Sequence, residues 1–171
     1  KGDIAGCLQL DNQYETDFVW QMTLDEKPGH WQIAFNNQRL PRTLEAVYPI
    51  NESRLRLVLP AEHCFLVAAA RENDEILGYL TMKNDRAHSV ALIEDVLVSQ
   101  PYRRHHIGAR LVGIARQWAK EHALTQLMVE VSTQNFPALT FCQHIGFQLC
   151  GFNDHYLPNH DIAIFLAQSL R

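Results

Sequence analysis

Long apolar runs are missing from this 171-residue chain. The longest, such as Phe65 to Ala70, fall far short of the roughly 20 residues that span a bilayer. The four cysteines, Cys7, Cys64, Cys142 and Cys150, show neither C-x-x-C spacing nor the density of a disulfide scaffold, so reduced thiols are expected. No signal-peptide pattern is present, which makes the cytoplasm the default expectation. Gly and Pro are sparse, at 8 and 7 residues, and no repeat or low-complexity tract occurs, which excludes fibrous and disordered classes. With 47% hydrophobic and 20% charged residues, the chain suits one domain over residues 1–171 that buries a proper core. The most informative absence is local. No Asp or Glu occurs between Val96 and Lys120, although the formal net charge is -4, and that stretch carries Arg103, Arg104, Arg110, Arg116 and Lys120.

The acid-free stretch joins a strand, a basic turn and a helix. Val90 to Val98 is aliphatic and β-branched and reads as a strand covered on both faces, interrupted by Glu94 and Asp95. From Ile107 the apolar positions Ile107, Leu111, Ile114, Ala115 and Trp118 recur at three- and four-residue spacing, which predicts a helix with one buried face. A helix start presents free N–H groups and about half a positive charge, so a basic turn placed there forms a cradle for an anion such as phosphate. Gly108 either lets a phosphate approach the backbone or eases the packing of strand on helix, and spacing alone does not choose.

Two blocks of residues resemble the GNAT superfamily of acetyl-CoA-dependent N-acetyltransferases. The first is Val96-Leu97-Val98, then Tyr102, then Arg103-Arg104-His105-His106-Ile107-Gly108 with Ala109, which is similar to the family's pyrophosphate loop. It departs at His106, which stands where the family has a Gly. The second is Asn135-Phe136-Pro137-Ala138 through Gly146-Phe147, similar to the family's Asn-x-x-Ala...Gly-Phe signature, with Cys142 where a Tyr is usual. The resemblance covers about residues 64–167. It implies that acetyl-CoA contacts Val96, Leu97, Val98, Arg103, Arg104, His105, His106, Ile107, Gly108, Ala109, Asn135 and Cys142. Within the superfamily, the region from Ile93-Glu94 to Gly151 resembles streptothricin-type antibiotic acetyltransferases.

Residues 1–60 are the divergent part. Phe18 to Leu24 reads as a strand, Trp31 to Phe35 as a strand followed by a turn at Asn36-Asn37, and Thr43 to Tyr48 as a short helix. Asp3, Asp11, Glu15, Asp17, Asp25 and Glu26 precede Lys27 with Tyr14 and Trp20 among them, which is either a solvated surface or a wall for a cationic amine. Further on, Cys64 to Arg71 and Ile76 to Met82 read as a hairpin turning at Glu72 to Glu75. The order continues with the strand to Val98, a helix to about His122, a strand over Gln126 to Val131, a helix opened by Asn135 and Pro137, and strands over Phe147 to Phe152 and Ile162 to Ala167. That order implies an α/β (α+β) fold, and the resemblance makes it the GNAT fold, a mixed, mostly antiparallel sheet flanked by helices.

Attack of an amine on a thioester calls for a base, donors for the carbonyl oxygen and an acid for the thiolate. The resemblance assigns the donors to backbone N–H groups at Val96 to Val98, beside a bulge. Glu94 is the first candidate base, on the face that alternation gives to Leu92 and Val96, with Asp95 on the face of Ile93 and Leu97 as the second. A purely structural role for either remains open. Tyr156, in the polar loop Asn153 to Asp161, is a candidate acid or acceptor contact. Cys142 is read as a packing residue, a thiol donor or a nucleophile.

Adjacent His105-His106 and the separate His155 and His160 lack metal-site spacing, so no metal is expected. The net acidity argues against nucleic acid. The activity implied is transfer of an acetyl group to a primary amine of a small molecule or peptide by direct attack; a non-catalytic acyl-CoA-binding module is the alternative, which the departures at His106 and Cys142 would permit. The partners expected are the amine acceptor and, as an option, a second copy in a homodimer, with no membrane.

Overall fold

The computed structural model describes residues 2–171. The elements run α1 (Gly2–Leu8), β1 (Gln13–Lys27), β2 (His30–Val47), α2 (Glu52–Leu57), β3 (Cys64–Ala69), β4 (Ile76–Asp85), β5 (Val90–Val98), a 3-10 turn (Gln100–Tyr102), α3 (Ile107–Glu121), β6 (Gln126–Ser132), α4 (Phe136–His144), β7 (Gln148–Asn153) and β8 (Ala163–Ser169). Strands β3 to β8 form one six-stranded sheet in the order β3-β4-β5-β6-β8-β7, in which only β5 and β6 run parallel. Helix α3 is the crossover that parallel neighbours require. The expected mixed, mostly antiparallel sheet flanked by helices is what forms.

Two cores sandwich the sheet. Leu80, Met82, Ile93, Leu127 and Val129 pack under Leu111, Val112 and Ala115 of α3 and Leu139 of α4. On the opposite face, Tyr79 and Leu97 pack with Ile4 and Cys7 of α1 and Leu55 of α2. The buried stripe of α3 is Leu111, Val112, Ala115 and Ala119. Ile114, expected in that stripe, is 54% exposed, because the helix rests its face one position round from the one the apolar spacing selects.

The N-terminal part departs most from expectation. β1 and β2 form a separate long hairpin, turning at Pro28-Gly29 with Gly29 at φ 75°. Asn36-Asn37 is not a turn: Asn36 pairs with Gln21 and Asn37 with Trp20 inside the ladder. Thr43 to Tyr48 is not helical either, since Leu44 to Val47 pair with Thr16 back to Gln13. The ladder jumps from Thr16↔Leu44 to Phe18↔Arg39, and Pro41, which has no N–H to give, falls in that gap.

Candidate active site

Strands β5 and β6 pair only from Val90↔Gln126 to Ile93↔Val129. Beyond that they part, so Glu94 to Val98 and Glu130 to Ser132 border an opening in the sheet. A backbone edge left unpaired in this way can bind an extended ligand as though it were a strand.

A bulge aims the side chains at this opening. Thr81 pairs with Asp95 and Met82 with Ile93, which leaves Glu94 as the extra residue. The alternation expected for β5 therefore fails at Glu94. Ile93 lies in the core under α3 whereas Leu97 lies in the core under α1, although four residues apart they would share a face of a regular strand. Asp95 thereby stays with Leu97 but leaves the face of Ile93, and meets Tyr48 from the end of the hairpin.

Three carboxylates gather there around one guanidinium. Asp95, 4% exposed, accepts from the Tyr48 hydroxyl at 2.5 Å and from Thr81 Oγ1 at 3.0 Å, and lies 3.5 Å from Arg54 Nη2. Arg54 Nη2 also donates to the Glu94 carbonyl at 3.2 Å and stands 3.8 Å from Glu130 Oε1. Glu94 Oε1 is 2.5 Å from Lys83 Nζ. Burial raises the Glu130 carboxyl above its ordinary value, while Tyr156 and Arg54 pull it down. Burial and Glu130 together push Tyr156 up to about 12, so its hydroxyl stays protonated. The Tyr156 ring meets Phe165 edge-on at 5.2 Å, and Phe165 is the β8 partner of Glu130, which sets the Tyr156–Glu130 contact.

Glu130, Arg54 and Tyr48 escaped the sequence reading. Glu130, like Glu94, is a carboxylate in an otherwise apolar strand, a pattern that marks a candidate but does not by itself place it at the opening. Of the acids before Lys27, Asp3, Glu15, Asp17, Asp25 and Glu26 are exposed and strung along α1 and the hairpin, so no acidic wall forms. Tyr14 reaches this region, its hydroxyl pKa raised by burial and by Asp161, whose carboxylate accepts from Ser132 Oγ at 2.8 Å.

At the far end of β5, Arg104 and His106 both adopt left-handed backbone, at φ 67° and φ 61°, and curl the turn into the start of α3. Arg104, His105 and His106 are exposed and Ile107, Gly108 and Ala109 half-buried. A Cβ on Gly108 would lie 3.3 Å from Phe141 Cζ and 3.7 Å from Val98 Cγ2, so close packing of α3 on α4 and β5 already calls for glycine there. Arg103 differs from the expectation of a free phosphate ligand. Its guanidinium donates to the carbonyls of Val98 (2.9 Å), Gln13 (2.6 Å) and Asp11 (3.2 Å), tying the turn to the start of β1. Asn135 caps α4, accepting from Ala138 N at 3.1 Å. Cys142 is 3% exposed in the core under α3, with its thiol pushed up to about 12 by burial, so it packs rather than faces the opening.

Comparison with known proteins agrees with this geometry. Residues 19–147 match the acetyltransferase (GNAT) family. Streptothricin acetyltransferase A of Bacillus subtilis (strain 168) is 41% identical over 79 residues, 44% of this chain and 46% of that protein. Streptothricin acetyltransferase of Escherichia coli is 28% identical over 81 residues, 47% of this chain and 46% of that protein. The matches thus span about half the length of these relatives. Among solved structures, a nourseothricin acetyltransferase superposes with a TM-score of 0.84 at 21% identity, covering 99% of this chain and 94% of that one. A streptothricin acetyltransferase from Bacillus anthracis str. Ames, in complex with acetyl coenzyme A, gives 0.75 at 22% identity, covering 94% and 89%.

Proposed function

The chain belongs to the acetyltransferase (GNAT) family, and on that premise we propose that it transfers the acetyl group of acetyl-CoA to a primary amine of a small molecule or peptide by direct attack on the thioester. The observation that carries this reading is the parting of β5 and β6 next to a left-handed turn that feeds α3. In this reading the pantetheine arm takes the place of a strand beside Val96, Leu97 and Val98. The pyrophosphate rests at the exposed turn of Arg104, His105 and His106 and at the first N–H groups of α3 from Ile107 to Ala109, where the helix dipole favours negative charge. Arg103 contributes by fixing the turn, and Asn135 by fixing the start of α4.

The acetyl carbonyl then lies near the apex of the opening, bordered by Glu94, Asp95 and Glu130. A cationic amine is drawn there because, among the described residues, three carboxylates face the two cations Arg54 and Lys83. Tyr156, protonated and 44% exposed, is placed to donate to the departing thiolate. The names of the curated relatives favour streptothricin-type amines as first acceptors to try. A panel of such amines with acetyl-CoA, followed by release of free thiol, tests the proposal. Acceptor-dependent thiol release is expected; tight acetyl-CoA binding with no release on any amine would instead identify a non-catalytic acyl-CoA-binding module.

A further inference from the structure

Glu94 and Glu130 are each the first residue past the last β5–β6 pair, so they face one another across the apex of the opening. Their neighbours divide the work differently. Glu94 has an ammonium at 2.5 Å, and to take up a proton it would have to give up Lys83. Asp95 has hydroxyl donors on both oxygens, so neither is free for an acceptor. Glu130 is otherwise arranged. Its carboxylate has the Tyr156 hydroxyl beside it and Arg54 3.8 Å from Oε1, and its Oε2 is buried with no hydrogen-bond partner among the described residues. An unpartnered buried carboxylate oxygen costs free energy that a donor from a ligand would recover.

We propose that Glu130 is the group that binds the acceptor as an ammonium and takes its proton. This rests on the acetyltransferase reading and assigns within it the base that Glu94 was expected to be. One N–H proton of the ammonium moves to the Glu130 carboxylate and leaves a neutral amine. The amine nitrogen attacks the thioester carbonyl carbon, a C–N bond forms, and the C–S bond breaks with its electron pair remaining on sulfur. The second proton, shed by the nitrogen after attack, ends on the thiolate as the thiol of CoA. Glu130 returns its proton to solvent as product leaves. Burial above all, with Glu94 and Asp95 from β5 adding to it, raises the Glu130 carboxyl toward the working range of a base, against the lowering by Tyr156 from the β7–β8 loop and Arg54 from α2.

The test is kcat/KM against pH for wild type, Glu130→Gln and Glu94→Gln, with acetyl-CoA affinity measured by calorimetry. Wild type should lose activity as pH falls through the Glu130 carboxyl. Glu130→Gln should bind acetyl-CoA as wild type does, lose about a hundredfold or more in kcat/KM, and lack that limb. Glu94→Gln should keep the limb but shift it to lower pH, because the Glu94 charge raises the Glu130 carboxyl. An active wild type whose Glu130→Gln variant keeps the limb and stays within tenfold overturns the assignment alone. A wild type that binds acetyl-CoA and turns over no amine overturns the acetyltransferase reading and the assignment with it.

Discussion

His106 holds φ 61°, a conformation that costs an ordinary residue about 1 kcal/mol and histidine somewhat less. The family pattern has glycine there, and the backbone curls as a glycine would allow although the side chain is present. The imidazole is exposed and makes no capping hydrogen bond to α3. We therefore expect His106→Gly to leave acetyl-CoA affinity within about tenfold, equivalent to 1.4 kcal/mol, and to change stability by no more than about 1 kcal/mol. Calorimetry checks the first and urea denaturation the second. A loss of affinity beyond tenfold with stability intact would make the imidazole itself a ligand. The departure at His106 was legible from the sequence because a motif defines which conformation the position needs. Glu130 was not, because nothing local tells a carboxylate at the apex of an opening from one on a wet strand; the partner strand's divergence decides that, and it depends on where β5 and β6 stop pairing.

At the scale of elements, the strand–turn–helix unit was legible throughout, since β-branched runs and a 3.6-residue stripe are local signals. The bulge at Glu94 was not, and it inverted the facing of every residue from Asp95 to Val98. It arises from pairing with β4, where the ladder steps from Met82↔Ile93 to Thr81↔Asp95 and runs on to Gly78↔Val98 with one residue fewer on β4. Gly78 belongs to the same arrangement: a Cβ there would lie 2.5 Å from the Leu97 carbonyl oxygen. The hairpin was misjudged for a related reason. Asn and Pro are turn formers on their own, and only the facing strand keeps Asn36 and Asn37 extended. Arg103 joins these two units. We expect Arg103→Ala to lose about 2 kcal/mol, since three carbonyls lose a charged donor, and Arg103→Lys not to restore it, because one ammonium cannot reproduce the guanidinium fork. Urea midpoints measure this. Unchanged midpoints with acetyl-CoA affinity abolished would return Arg103 to the role of direct phosphate ligand.

Across the whole molecule, charge is divided between the two ends of the opening. The acid-free run from Val96 to Lys120 supplies the basic end of the opening, and Glu94, Asp95 and Glu130 supply the acidic end, within a chain of net charge -4. Holding Glu130 in the opening has a consequence for stability. Its carboxyl in the folded protein lies above its ordinary value, chiefly through burial. The native state thus binds that proton more readily than the unfolded chain does, so this group's penalty is fully present above the folded pKa and is relieved as pH falls from there to the ordinary glutamate range. Glu130→Gln, which keeps the shape without the charge, should therefore unfold at a higher temperature than wild type near neutral pH, with the gap closing on acidification. Asp85 and Asp154, lowered by hydrogen bonds from His88 and His155, titrate in the opposite sense, but both proteins carry them and they cancel in the difference. Thermal unfolding of the two proteins between neutral and mildly acidic pH decides the matter. A Gln variant that is less stable at neutral pH, or a gap that widens on acidification, would mean that Arg54 at 3.8 Å stabilises the carboxylate more than burial costs it. Glu130 would then be a structural ion-pair partner and its place in the chemistry would fall with the sign of that difference.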